Sequence, residues 1–167
     1  MSTIQKVFIL FSLSLTLVFP ALKTSLANEQ NFKIYHNGRF NYSISYPAEI
    51  LLPQGEAENG DGQKFISKDG KVELIVYGSN NALDQTLKDT YQKALSGSAD
   101  SKDRKVTYKK LGDHWFVVSG IEQGKIFYQK TYLKDDAFKT FEITYDQAQK
   151  ASFDKITEAI SKSFKVE

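Results

Sequence analysis

Residues 106–145 read VTYKKLGDHWFVVSGIEQGKIFYQKTYLKDDAFKTFEITY, and this stretch decides the fold. β-Branched and aromatic residues dominate it, as they do on pleated surfaces. Three groups of turn residues interrupt it: Gly112-Asp113, Glu122-Gln123-Gly124 and Lys134-Asp135-Asp136. Between them the sequence predicts strands over Val106–Leu111, His114–Ile121, Lys125–Leu133 and Phe138–Tyr145. Connections this short can only reverse the chain, so neighbouring strands form antiparallel hairpins in a meander.

Working outward, Leu83, Leu87, Tyr91, Ala94 and Leu95 recur at helical spacing and predict a helix over 82–95. Asn81 or Asp84 is its capping candidate, and Gly97 sits where a left-handed C-terminal residue belongs. On the other side of the meander, Phe153, Ile156, Ile160 and Phe164 form the stripe of a closing helix, with Ser152 or Asp146 as cap. Nearer the N-terminus, Phe32–His36, Phe40–Tyr46, Gln63–Ser67 and Val72–Tyr77 read as strands, and 48–62 as a loop. Val72, Leu74 and Val76 lie on one face of their strand, while Ile75 and Tyr77 lie on the other, so both faces of the sheet need a cover. The order ββββ-α-ββββ-α lacks the strand–helix alternation of a parallel sheet. The expectation is an α+β domain: a single antiparallel β-sheet with two long helices packed on it.

The first 27 residues differ from the rest. Lys6 precedes the apolar run VFILFSLSLTLVF (Val7–Phe19), which Pro20 ends, and Ser25-Leu26-Ala27 supplies small residues at a cleavage site. The apolar run falls short of the roughly 20 residues that span a bilayer as a helix. It reads as a cleavable signal peptide over 1–27, leaving one domain over 28–167 in the periplasm or outside the cell, with no stable membrane insertion. Lys6 and Lys23 account for the formal charge of +2; from Asn28 onward 20 basic residues face 20 acidic ones. A neutral chain lacks the single-sign field that gathers nucleic acid, so no nucleic-acid partner is expected. The basic run Lys102, Arg104, Lys105, Lys109 and Lys110 is broken by Asp103 and reads as a solvated face. With no Cys in the chain, thiol catalysis, disulfides and cysteine-based metal sites are excluded, and an exported domain must then rest on its core.

The run Phe40-Asn41-Tyr42-Ser43-Ile44-Ser45-Tyr46-Pro47 is similar to the F-x-x-S-x-x-Y-P opening strand of PsbP-like domains. These small exported or lumenal proteins resemble the extrinsic PsbP subunit of photosystem II, and a related fold occurs in a Ran-binding nuclear transport factor. The hairpins, the central helix and the closing helix that ends Ser161-Lys162-Ser163-Phe164 fit the same plan. The resemblance implies an α/β/α sandwich and an accessory or binding role, and it transfers no catalytic residue.

The residues themselves hold no nucleophile elbow, phosphate loop, dinucleotide fingerprint, zinc-protease helix or EF-hand loop. His36 and His114 flank turns. Two features are candidates for binding. Glu56, Glu58, Asn59 and Asp61 place oxygen ligands among Gly55, Gly60 and Gly62, a composition that suits a hard cation such as Ca²⁺ and equally an ordinary turn. Trp115, with Phe116, Tyr128 and Tyr132, offers aromatics for a binding face or for the core. The expectation is an exported, non-enzymatic accessory or binding protein whose partner, protein or small ligand, is not named by the sequence. No cofactor is implied beyond that Ca²⁺ alternative. The other functional reading is a small periplasmic hydrolase using the carboxylates of the 56–61 loop. The signal-peptide reading is checked by N-terminal sequencing of the chain exported from a bacterial host: the mature protein is expected to begin at Asn28, and a product that still starts at Met1 rejects it.

Overall fold

A computed structural model describes residues 31–97, 101 and 103–167. The signal-peptide segment 1–27 lies outside the described residues, as does Lys102 of the basic run. The meander appears as expected: β6 (Lys105–Leu111), β7 (Trp115–Glu122), β8 (Lys125–Lys134) and β9 (Ala137–Asp146) pair antiparallel in succession. Gln123 and Gly124 have φ of 49° and 75°, and Asp135 and Asp136 have 52° and 53°. Two consecutive positive-φ residues are what a tight hairpin turn demands, because that turn's twist matches the twist of its strands.

β9 also pairs with β5 (Glu73–Asn80), which pairs with β4 (Gly62–Ser67), which pairs with β3 (Leu51–Glu56). The result is a seven-stranded sheet in the order β3-β4-β5-β9-β8-β7-β6. The strand β3 lies inside the segment expected to be loop. Pro53 conceals it in the sequence, yet Pro53 sits on an edge strand, where a missing N–H leaves no partner unpaired. Fully buried Leu51 anchors β3 to the core, and the register shifts between Pro53 and Glu56, where Gly55 has φ of 94°.

The expected single sheet with two long helices is wrong on two counts. First, β1 (Phe32–Asn37) and β2 (Tyr42–Pro47) do not join the large sheet, whose edge on that side is taken by β3. They pair instead with a two-residue strand at the C-terminus, β10 (Lys165–Val166), forming a separate three-stranded sheet. Second, the helix expected over 82–95 is short: α1 spans Leu87–Ser96. Thr86, not Asn81 or Asp84, caps it; its hydroxyl accepts the Asp89 N–H, and the Asp89 carboxylate accepts the Thr86 N–H. This reciprocal capping box fixes the start. Asn81 braces the preceding loop through Gln85, and Leu83, on the expected stripe, is 78% exposed. The closing helix α2 spans Lys150–Ser163 behind a short 3-10 turn, with no side-chain cap from Asp146 or Gln149.

The large sheet is covered on both faces. On one, α2 and the small sheet bury Leu74, Val76, Phe141 and Ile143 against Tyr42, Ile44, Phe153 and Ile160. On the other, α1 covers Phe116, Val118 and Phe127 with Leu87 and Ala94. Gly78 of β5 lets the small sheet approach: a Cβ there would lie 2.1 Å from the Phe40 ring. Phe164, 3% exposed, joins the parts. Its ring meets Tyr42 of β2 at 6.0 Å, Tyr132 of β8 at 5.7 Å and Phe141 of β9 at 5.2 Å, each edge-on. Edge-to-face contacts of this kind add to the area term of large aromatic side chains. Phe164→Ala is expected to cost about 3–5 kcal/mol, read as a lowered urea midpoint, whereas Leu83→Ser should leave the midpoint within about 0.5 kcal/mol.

Candidate functional site

The described residues form a cleft of about 730 Å³ between α2 and the β6–β8 end of the large sheet. It exists because α2 rests on β2, β8 and β9 and leaves the same face of β6 and β7 uncovered. Ser119, Ile121, Ile126 and Tyr128 form the floor, Asp154, Thr157 and Ser161 the α2 wall, and Thr107 and Tyr108 the β6 wall. A register shift between Val106 and Tyr108 turns Tyr108 to this side. Val106 pairs with Gly120, yet Tyr108 pairs with Ser119, so one residue is extra and Tyr108 moves to the opposite face from the one strict alternation gives it. β-Bulges re-aim side chains in this way at strand edges. Tyr108 is 52% exposed.

The hydroxyls of the cleft are mostly engaged. Tyr128 and Ser161 share one hydrogen bond of 2.9 Å, and the Tyr128 ring stacks on Phe141. The Tyr145 hydroxyl donates to Asp154 Oδ1 at 3.0 Å, and Ser119 donates to the Phe127 carbonyl. Burial raises the Tyr128 hydroxyl above its ordinary value and pushes Tyr145 up to about 12; the Asp154 carboxylate adds to the latter, and the neighbouring Thr157 hydroxyl opposes it. Thr157 is 5% exposed, and its Oγ1 makes no hydrogen bond of ordinary geometry. The charged lining residues cancel: Lys150 pairs with Asp154 and Lys162 with Glu158, each one helical turn apart on α2.

A second cleft, polar and about 650 Å³, opens on the α1 face. Arg104, with its side chain 6% exposed, lies over the Phe127 ring at 3.7 Å, donates to the Ala94 carbonyl at 3.1 Å and pairs with Glu122 Oε2. Glu142 faces the same cleft. Burial raises its carboxyl, Glu122 and Glu73 push the same way, and the Arg104 guanidinium opposes them.

The residues singled out in the sequence lie elsewhere. The 56–61 segment is the β3–β4 turn, tied to the small sheet. Glu56 accepts from Tyr35 and Asn37, Asn59 donates to Asp61, and Asn37 and Tyr42 donate to the Gly60 and Asp61 carbonyls. Glu56, Glu58 and Asn59 are exposed and Asp61 is half-buried. Among the described residues no three His, Asp or Glu are grouped to hold a metal ion. Trp115 sits on β7, four strands from β4 in the sheet, with the Lys110 and Lys130 ammonium groups 5.5 and 5.9 Å from its ring. The structure therefore does not bring Trp115 to the acidic turn. Of its expected companions, Phe116 is buried under α1, while Tyr128 and Tyr132 share its face of the sheet. Neither His36 nor His114 lines the tyrosine cleft. Tyr108, Tyr145, Thr157 and Ser161 were not singled out in the sequence. Thr157 and Ser161 are one turn apart on α2, a spacing visible in the sequence without a partner surface to give it meaning.

Comparison with known proteins bears on the fold. No family model matches the chain, and no curated protein matches it. The solution structure of cyanobacterial PsbP (CyanoP) from Synechocystis sp. PCC 6803 superposes with a TM-score of 0.64 at 14% identity, covering 84% of this chain and 95% of that one. The chain thus has a PsbP-like fold. No helix among the described residues is long and apolar enough to cross a membrane.

The raised carboxyl of Glu142 has a stability consequence. An acid whose folded pKa lies above its unfolded one costs stability when ionised, and the cost disappears as pH falls to the unfolded value. Glu142→Gln is therefore expected to raise the melting temperature at about pH 7 and to lose that advantage near pH 4, close to an ordinary glutamate pKa; a melting temperature lowered equally at both pH values rejects this.

Proposed function

We propose that this is an exported, non-enzymatic accessory protein that works by binding, and that the cleft between α2 and β6–β8 is its binding site. The observation that carries this reading is the cleft's make-up: a concave, tyrosine- and isoleucine-walled space of about 730 Å³ with a few fixed hydroxyls. Ligand sites are typically of this size and character. The PsbP-like fold supports an accessory role, and the signal-peptide reading supports export. A hydrolase built on the 56–61 carboxylates gains no support, since Glu56 and Glu58 stand in solvent rather than converging in a pocket.

Titration with the neutral, polarity-sensitive dye Nile red tests the site. Saturable fluorescence enhancement is expected, with Ile121→Lys weakening it about tenfold or more, as burial of a charge in an apolar contact requires. Leu83→Ser, at an exposed loop position, should leave it unchanged. Enhancement that survives Ile121→Lys in a folded protein would reject the cleft as the binding site.

A further inference from the structure

The polar groups of the cleft restrict what it can hold. The two ion pairs on the α2 rim are the charged groups of its lining, and they sum to zero. An ionic ligand would give up its hydration there without an uncommitted counter-charge in the lining to replace it, the nearby Lys130 ammonium lying outside the lining and held on the Ser161 carbonyl at 3.0 Å. The uncharged groups are unbalanced in the other sense, toward donors. Tyr128 and Ser161 carry two hydroxyl protons and share a single hydrogen bond. Whichever oxygen donates, the proton on the other has no acceptor among the described residues. Thr157 Oγ1, on the same wall, is buried beside the Tyr145 hydroxyl and makes no hydrogen bond of ordinary geometry. The Tyr145 and Ser119 protons are already committed to Asp154 and to the Phe127 carbonyl. The walls thus present apolar surface and rings with spare protons at one place.

We propose that the cleft binds an uncharged small molecule with an apolar, ring-sized body and a carbonyl-type oxygen that accepts a hydrogen bond from the Tyr128–Ser161 hydroxyl pair. This inference rests on the reading of the cleft as the binding site. The pair acts as a unit. Tyr128→Phe leaves the Ser161 proton free, and Ser161→Ala leaves the Tyr128 proton free, so either single variant keeps a donor and only the double variant removes both.

Three probes of one shape test it: acetylnaphthalene, ethylnaphthalene and naphthoate, titrated into the protein and followed by backbone amide shifts of α2 and β6–β8. The ketone is expected to bind about three- to tenfold tighter than the hydrocarbon, the worth of one hydrogen bond, and naphthoate is expected to bind more weakly than both. Each single variant should keep the ketone's advantage. The double variant should abolish it while leaving ethylnaphthalene binding in place, which also shows that the variant folds. If the double variant does not fold, the ranking on the unaltered protein decides. Equal binding of ketone and hydrocarbon, or tightest binding of naphthoate, overturns the proposal and leaves the cleft standing as the binding site. Cleft amides that shift with none of the three probes overturn both readings. A dimer that buries the cleft, seen by sedimentation at the same concentration, also overturns the proposal by naming a second copy as the occupant.

Discussion

The ring of Phe164 holds the architecture together. It follows the last turn of α2, precedes β10, and packs edge-on against Tyr42, Tyr132 and Phe141, one ring from the small sheet and two from the large one. Seating it fixes where α2 ends, and the two residues after it then reach β2 as a third strand. A domain without a disulfide has no covalent device to hold its C-terminus. Here aromatic packing does that work, backed by the Glu167 N–H bonded to the Asn41 carbonyl at 3.0 Å.

The placement of α2 also sets the cleft. Pulled toward β2 and β9 by Phe153, Ile156 and Ile160, the helix cannot also cover β6 and β7. The uncovered face would be an ordinary edge of solvated lysines but for the bulge in β6, which brings Tyr108 round beside Ile121 and Tyr128. The opposite face of the sheet was solved differently. There α1 is too short to cover the middle of the sheet, and the remaining space holds Arg104, Glu122 and Glu142. A half-buried carboxylate with a raised pKa is a standing cost at neutral pH. Arg104 limits that cost, and its contact with the Ala94 carbonyl ties the end of α1 to the strand that follows.

Much of the fold was legible because its signals are local. The meander needs only alternating apolar residues and turns such as Gln123-Gly124, and the α2 stripe needs only its spacing. Leu83 misled because it extends a helical stripe past a start that Thr86 and Asp89 fix by hydrogen bonding. β3 was hidden because Pro53 argues against a strand until the strand is known to be an edge. The candidate site was hardly legible. Glu56, Asn59 and Asp61 stood out by composition, yet their polar atoms serve a turn that locks one hairpin to another. Tyr108 would be assigned to the α1 face by alternation alone, since a one-residue bulge leaves no mark in the hydrophobic pattern.

By itself, the sequence determined the four-stranded meander and the closing helix, that 20 basic residues face 20 acidic ones from Asn28 onward, and that an aromatic-rich chain without Cys has no disulfide to support its core. These follow from backbone preferences and counts, which neighbours in space do not change. Only the tertiary structure decided that there are two sheets, that the β6–β8 end of one face stays open, and which hydroxyls there keep a spare proton. Those outcomes depend on which surface α2 buries and which edge each strand finds, and such competition between distant groups is settled only when the whole chain packs.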